Sequence, residues 1–361
     1  MFKKIREAEI TIEAPEEEKI SAKLPVFYNP VMKLNRDISV LLLKAIDNQE
    51  MQVCDLLAGT GIRAVRFLAE LGKEKIKSIT INDYNEKAAE LIKKNIEANK
   101  KLIQARHKQA EISITNMEAC TLLFQSKGFD YIDIDPFGTP NPFIDPAVRR
   151  LARHGILAVT ATDTSALAGT FPRACKRKYW AVPDRGPMKH EIGLRILVRK
   201  VQLVAAQYEK ALIPIFSYSK EHYMRVFFRC LKGKAHVDEV LEQQGMFSNA
   251  GPLWLGKLWD IKLVERMYQL AADLDYEFDA RFLQTIRDES RINTVGFYDI
   301  HNICKRNSLE VPKFGPIFDG IRRKKHEATR THFSGFGIRS DIEEKDLIKI
   351  IKNAIKECVK A

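Results

Sequence analysis

Apolar and polar positions change their period repeatedly along the first two hundred residues. Gln52-Val53-Cys54-Asp55-Leu56-Leu57 is a short apolar run closed by Ala58-Gly59-Thr60-Gly61, which predicts a buried strand and a tight turn. From Ile62 to Leu71 the apolar residues Ala64, Val65, Leu68, Ala69 and Leu71 return at helical spacing. Ser78 to Asn82 predicts another strand, and Glu86 to Asn99 an amphipathic helix with Ala88, Leu91, Ile92 and Ile96 on one face. Further short strands are predicted over 112–115, 131–134 and 155–161. Such alternation implies β-α-β units and a mostly parallel sheet covered on both faces. A long helix over 189–208 then leads to two apolar runs, 212–218 and 223–231. The link between them is so short that the two strands can pair only as an antiparallel hairpin. Upstream, an acidic leader runs into Leu24-Pro25-Val26-Phe27-Tyr28-Asn29-Pro30, a rigid extended loop bracketed by prolines, and a helical pattern covers 37–46.

Beyond Gly251-Pro252-Leu253-Trp254-Leu255-Gly256 strand signals almost vanish. Helices are predicted over 262–274, 278–288, 298–305, 318–325 and 343–358. The expected organisation is therefore an α/β domain over 1–259 and a small, mainly helical domain over 260–361.

Composition narrows the function. With 361 residues, 45% hydrophobic and 29% charged, the chain can bury a large core. No run approaches the ~18 apolar residues of a membrane span, and the basic start lacks the apolar stretch of a secretory signal. The six cysteines lie more than fifty positions apart, so neither a disulfide framework nor a local metal motif is expected. A reducing, cytoplasmic compartment and no metal site follow. Net charge is +12, divided as +2 over 1–160 and +10 over 161–361. That asymmetry predicts a polyanionic partner met mainly by the second half.

Three carboxylates mark the chemistry. Asp55 and the loop Gly59-Thr60-Gly61 stand where ligands bind in open α/β sheets, outside the carboxyl ends of the strands. Ala64 breaks the dinucleotide G-x-G-x-x-G pattern, and no Gly-Lys-Ser/Thr follows as in a phosphate loop. The remaining fit is a methionine-bearing nucleoside cofactor. Asp83 ends the next strand, 28 positions after Asp55, where a carboxylate can accept both ribose hydroxyls. The sharpest feature is Asp133-Ile134-Asp135-Pro136-Phe137-Gly138-Thr139-Pro140, a carboxylate and an aromatic on a rigid loop at a strand end. An exocyclic amine on a nucleobase is a poor nucleophile because its lone pair is delocalised. Asp135 and a backbone carbonyl accepting its two N–H bonds would make it more tetrahedral, and the carboxylate could take the proton. An aromatic face would stack and orient the base.

In these segments the chain resembles the tRNA guanine-26 N2-dimethyltransferases of archaea and eukaryotes. The resemblance covers nearly the whole length. It rests on Phe27-Tyr28-Asn29-Pro30, Leu34-Asn35-Arg36-Asp37, Ala58-Gly59-Thr60-Gly61-Ile62-Arg63, the Asp135–Pro140 loop and Thr160-Ala161-Thr162-Asp163. It continues through His190-Glu191-Ile192-Gly193, the 251–256 segment and Ala328-Thr329-Arg330-Thr331-His332-Phe333. It implies a Rossmann-like S-adenosylmethionine-dependent methyltransferase sheet with an antiparallel final hairpin. By position, Arg36, Arg63 and Asp83 would hold S-adenosylmethionine, and Glu118 and Ala119 would lie against its adenine. Asp135 would be the catalytic carboxylate beside the Pro136 carbonyl, with Phe27 and Phe137 either side of the target guanine. The family has Asp-Ala-Asn where this chain has Glu118-Ala119-Cys120. Some members also carry a four-cysteine zinc site before the 251–256 segment, where this chain has only Cys230 nearby.

Two basic segments fit tRNA. Residues 173–200, with Arg173 and Lys178, and 305–339, with Arg322, Arg323, Lys324, Lys325 and Arg330, carry nine basic residues each. Tyr179, Trp180, Phe318 and Phe333 are interleaved, as phosphate tracking with base stacking requires. The second segment resembles the part of the family that grips tRNA. The expected activity is transfer of one or two methyl groups to N2 of guanine 26. The alternatives are an amino-methyltransferase at another nucleobase position and a non-catalytic RNA-binding protein or chaperone.

Overall fold

The computed structural model describes residues 2–16, 26–274 and 278–360, so Leu24 and Pro25 of the proline-bracketed loop lie outside the described residues. Its strands in chain order are β1 (Phe2–Glu7), β2 (Ile10–Pro15), β3 (Met51–Asp55), β4 (Ile76–Asn82), β5 (Glu111–Thr115), β6 (Phe129–Ile134) and β7 (Leu151–Ala161). They continue as β8 (Lys210–Lys220), β9 (Tyr223–Lys232), β10 (Gln244–Phe247), β11 (Ala250–Trp254), β12 (Tyr298–Asp299), β13 (Ala328–Thr331) and β14 (Ser334–Ser340).

Strands β3 to β9 form one sheet in the order β5-β4-β3-β6-β7-β9-β8. β3 pairs in parallel with β4 and β6, β4 with β5, and β6 with β7. Cys54, Ile79, Ile81, Ile132, Leu157 and Val159 are wholly buried, as strands with helices on both faces require. The expected hairpin is β8–β9, with β9 inserted antiparallel between β7 and β8. Strand order reverses between β3 and β6, so their carboxyl ends flank the crevice in which such sheets bind ligands.

The described part of the acidic leader, residues 2–16, forms a hairpin. β1 and β2 pair antiparallel, and Ile10, Ile12 and Ala14 pack on Ile62, Val65 and Ala69 of the helix Ile62–Glu70. Downstream, the chain is mainly helical but also carries a three-stranded antiparallel sheet, β12-β14-β13. Glycines and polar residues at 328–340 mask its alternation. The helices Ile261–Ala271 and Ala280–Ser290 put Leu263, Val264, Met267, Leu283 and Ile286 into the main core. A separate core is drawn from Ile300 to Ala354. A cut after residue 259 therefore runs through the first core; packing changes hands between Phe297 and Ile300.

A buried ionic cluster ties the two parts together. Arg339 on β14 donates to Glu191 (2.6 Å) and to Glu289 (3.1 Å), and Arg195 donates to Glu191 (2.9 Å). His332 meets Glu289 through its backbone N–H (3.0 Å) and its ring. Burial opposes the charge on Glu191, yet Arg339 and Arg195 hold its carboxyl below the usual range. The His190–Gly193 and Ala328–Phe333 segments thus meet as architecture.

Candidate active site

A cavity of about 420 Å³ opens at the carboxyl ends of β3 and β6. Residues of one strand two apart share a face, so Tyr131, Asp133 and Asp135 rise in a row from β6. Arg225 of β9, wholly buried, donates to both oxygens of Asp133 (3.0 and 2.6 Å), to Thr160 (2.8 Å) and to Ser39 (3.1 Å). Tyr131 also donates to Asp133, at 2.6 Å. Arg63 stands 3.5 Å from Asp133, donates to Asn35 and Ser39 (both 2.9 Å), and ion-pairs with Oδ2 of Asp135. The Asp135 carboxylate is thus clamped through Oδ2, and Oδ1 is not engaged by Arg63. Its loop is pinned by Thr162, whose hydroxyl accepts from the Gly138 N–H (2.6 Å) and whose N–H donates to the Gly138 carbonyl (2.9 Å).

Asp55, at the end of β3, lines the same cavity and is 3% exposed. Its Oδ2 is buried without a hydrogen-bond partner among the described residues. Burial pushes its carboxyl up to about 7; Arg63 opposes this, and Asp133 and Asp135 reinforce it. Two guanidinium groups, Arg63 and Arg225, thus face three carboxylates. An orphaned carboxylate oxygen and one uncompensated negative charge match a ligand bearing positive charge. The ammonium and sulfonium of S-adenosylmethionine meet that requirement.

Phe27, Pro136 and Phe137 also line the cavity. The rings of Phe27 and Phe137 stand edge to face with centroids 4.1 Å apart. A base held between two parallel rings needs them about 7 Å apart, two contact distances. The expected placement of guanine between these rings therefore requires one ring to turn away, and Phe137 is half-exposed. Gly59 serves Phe27 directly: its φ is +55°, and a Cβ there would lie 2.7 Å from the Phe27 carbonyl oxygen. Gly61, at φ +74°, opens the helix Ile62–Glu70 against Ile92. The two glycines shape the loop, while Ala58 and Thr60 face the cavity.

The other expected cofactor residues divide. Arg36 lines the cavity, but its Nε and Nη2 engage Glu7 of β1 (2.7 and 2.6 Å) and its Nη1 the Asn29 carbonyl (3.2 Å). Asp83 follows β4 outside the cavity lining and accepts from the Gly59 N–H (2.8 Å) and the Asn85 N–H (2.9 Å). Burial raises its carboxyl, and these two bonds counter the rise. Glu118 is exposed and caps the helix Ala119–Gln125, accepting from the N–H groups of Cys120 (2.9 Å) and Thr121 (2.8 Å). Ala119 is buried beneath it. The Asn116 amide donates to the carbonyls of Asp83 and Tyr84, which holds this strip beside Asp83.

Of the basic residues, Arg173, Lys178, Arg322, Arg323, Lys324 and Lys325 are exposed. Lys178 pairs with Asp163 (3.1 Å), Arg322 with Asp319 (2.7 Å) and Lys324 with Asp346 (3.3 Å). Arg330 stacks on Phe314, 3.8 Å from the ring centre. The interleaved aromatics are mostly not available for stacking. Tyr179 and Phe333 are buried, and Phe318 packs on the second core. Trp180 is exposed, with the Lys200 ammonium 3.0 Å from its ring centre, and Phe171, at the other end of the same helix, is exposed too.

Sequence reading gave no role to Glu7, Asn35, Ser39, Thr162, Tyr223 or Arg225. Signals existed for three residues: Asn35 and Thr162 lie in the segments that carry the family resemblance, and Asp133 stands two residues before Asp135.

A parallel sheet with one reversed strand, a glycine turn after β3 and carboxylates after β3, β4 and β6 define a Rossmann-like, S-adenosylmethionine-dependent methyltransferase. The chain belongs to the N2,N2-dimethylguanosine tRNA methyltransferase family, whose model matches residues 7–249 and 245–352. It is 38% identical to the tRNA (guanine(26)-N(2)/guanine(27)-N(2))-dimethyltransferase of Aquifex aeolicus, covering 91% of this chain and 90% of that protein. It is 37% identical to the tRNA (guanine(26)-N(2))-dimethyltransferase of Methanobrevibacter smithii, covering 97% of each. Among solved structures, Trm1 from Pyrococcus horikoshii in complex with S-adenosyl-L-methionine superposes with a TM-score of 0.86 at 35% identity, covering 96% of this chain and 99% of that one.

Proposed function

We propose that this protein transfers methyl groups from S-adenosylmethionine to the exocyclic N2 of guanine 26 in tRNA, and does so in the cytoplasm. The observation that carries the reading is one cavity holding Asp135, Pro136, Phe27 and Phe137 together with the orphaned carboxylate of Asp55. When bound, S-adenosylmethionine supplies the methyl group on a sulfonium, an electrophile needing no metal. In this reading Asp55 meets its positive charge, Asp83 accepts the ribose hydroxyls and the Glu118–Ala119 strip backs the adenine. Arg63 fixes Asp135 so that its free oxygen accepts one N–H of the amine, while the Pro136 carbonyl accepts the other. Asp135 then takes the N2 proton as the new N–C bond forms and the methyl–sulfur bond breaks, the electron pair leaving on the sulfur of S-adenosylhomocysteine. Phe27 and Phe137 stack the flipped base. Arg173 and Lys178 on one side, and Arg322 to Lys325 and Arg330 on the C-terminal part, track the phosphate backbone. Among the described residues no helix is long and apolar enough to cross a membrane.

The test uses purified protein, labelled S-adenosylmethionine and unmodified tRNA transcript, followed by mass analysis of the nucleosides. N2-methylguanosine or N2,N2-dimethylguanosine, lost when guanine 26 is replaced by adenine, is the expected result. A product that moves to guanine 27 or persists there would align the chain with the Aquifex relative. Label on any other nucleoside would refute the assignment of Asp135 to a guanine amine.

A further inference from the structure

Tyr223 begins β9, and with Glu221 and His222 of the preceding turn it lines the same cavity. It is 2% exposed, and its hydroxyl is buried without a hydrogen-bond partner among the described residues. Tyr218 packs edge to face against it with ring centres 5.8 Å apart. The Tyr218 hydroxyl lowers the proton affinity of the Tyr223 oxygen, as a donor aimed at it does, so the Tyr223 O–H itself still lacks an acceptor. Leaving a buried hydroxyl unpaired is costly, so such groups take partners from water or a ligand. In the wall of a substrate cavity, the ligand is the natural partner.

Topology indicates which ligand atom. The residues expected to hold the cofactor follow β3 and β4, on one side of Asp135. β9 lies two strands from β6 on the other side, about 9–10 Å away at normal strand spacing. A guanine whose N2 amine rests on Asp135 can extend its hydrogen-bonding edge in that direction, through N1–H to O6. Along that edge N2 and N1 are donors and O6 is the acceptor. Asp135 accepts and cannot serve O6; a phenol can donate to it. We propose that the Tyr223 hydroxyl donates to O6 of the target guanine and sets the angle at which N2 meets the methyl donor. This inference rests on the guanine-N2 reading.

The experiment is a four-way cycle under single-turnover conditions. Wild type and Tyr223→Phe each act on tRNA carrying guanine or 2-aminopurine at position 26. 2-Aminopurine keeps the amine but lacks O6. It also lacks the N1 proton, a difference that cancels between the two enzymes. Removing O6 is expected to slow kcat/KM of the wild type about 3- to 12-fold more than that of Tyr223→Phe, the worth of one neutral hydrogen bond. Equal ratios for the two enzymes overturn the proposal even if Tyr223→Phe is slower, because a purely structural role slows both substrates alike. A wild type that does not distinguish the two bases overturns it without the variant. If the wild type leaves guanine unmethylated, the functional reading fails instead.

Discussion

If Asp55 meets the methyl donor as proposed, its buried carboxylate should make that binding pH-dependent, in a direction that follows from its surroundings. Burial lifts this group from its ordinary 3.8 to about 7, against Arg63 and with the help of Asp133 and Asp135. A displacement of about three pH units is worth about 4 kcal/mol between the two protonation states. The folded-state value exceeds the unfolded one, so the folded protein binds the extra proton between the two. The unliganded protein therefore loses stability as pH rises from about 4 to 7. A cationic ligand reverses the preference, because only the ionised carboxylate attracts it. Affinity for S-adenosylmethionine should approach a tenfold fall for each pH unit well below 7, or roughly 16-fold between pH 7 and 5.5. The useful window closes near pH 7.5, where a ligand α-amino group itself begins to lose its proton. Calorimetry with S-adenosylmethionine, in the absence of tRNA, from pH 5.5 to 7.5 measures the slope. Asp55→Asn should flatten it, weaken binding at pH 7.5 and stabilise the unliganded protein there. A flat wild-type profile, or the same slope in Asp55→Asn, would refute the pairing of Asp55 with the ligand's positive charge.

Asp135→Asn should lower single-turnover methylation by about 10²–10⁴ while leaving S-adenosylhomocysteine affinity within about threefold; a matching loss of affinity would make Asp135 a cofactor residue. Phe137→Ala should raise KM for tRNA by about 5- to 100-fold, the stacking of one base, without moving the unfolding midpoint, since the ring is half-exposed. Arg225→Met leaves Asp133 buried without its main counter-charge, so denaturant titration should show a loss of about 3–5 kcal/mol; under 1 kcal/mol would show that Arg63 and Tyr131 suffice. In tRNA-binding titrations against salt, Lys324→Ala and Lys325→Ala should each reduce the logarithmic slope by about 1, and an unchanged slope would remove that segment from the interface.

Much of the molecule can be read from local pattern. The strand–turn–helix at 52–71 and the carboxylates after β3, β4 and β6 depend on neighbours a few positions apart, as does the short link that forces β8 and β9 antiparallel. Asp135 and Phe137 are legible for the same reason, since a proline-fixed loop after a strand can only present them at the sheet's edge. The chemistry proposed for this loop therefore rests on eight consecutive residues.

Tertiary structure decided what supports that chemistry. Arg225 and Asp133 are 92 positions apart, Glu7 and Arg36 are 29 apart, and nothing local announces either pairing. Their charges are tolerable in the core only because folding closes each around its partner. Burial likewise overruled the sequence at Tyr179 and Phe333, which look like stacking platforms in a basic segment but lie inside the cores. The glycine loop carried the same ambiguity: its glycines suggested approach to a ligand, whereas Gly59 makes room for the backbone of Phe27, 32 positions earlier. Local sequence sets the strand ends and the side chains displayed there, because backbone geometry couples near neighbours. Which of those side chains is charged, paired or free to meet a ligand depends on distant groups brought together at the crevice, and only the closed fold determines that.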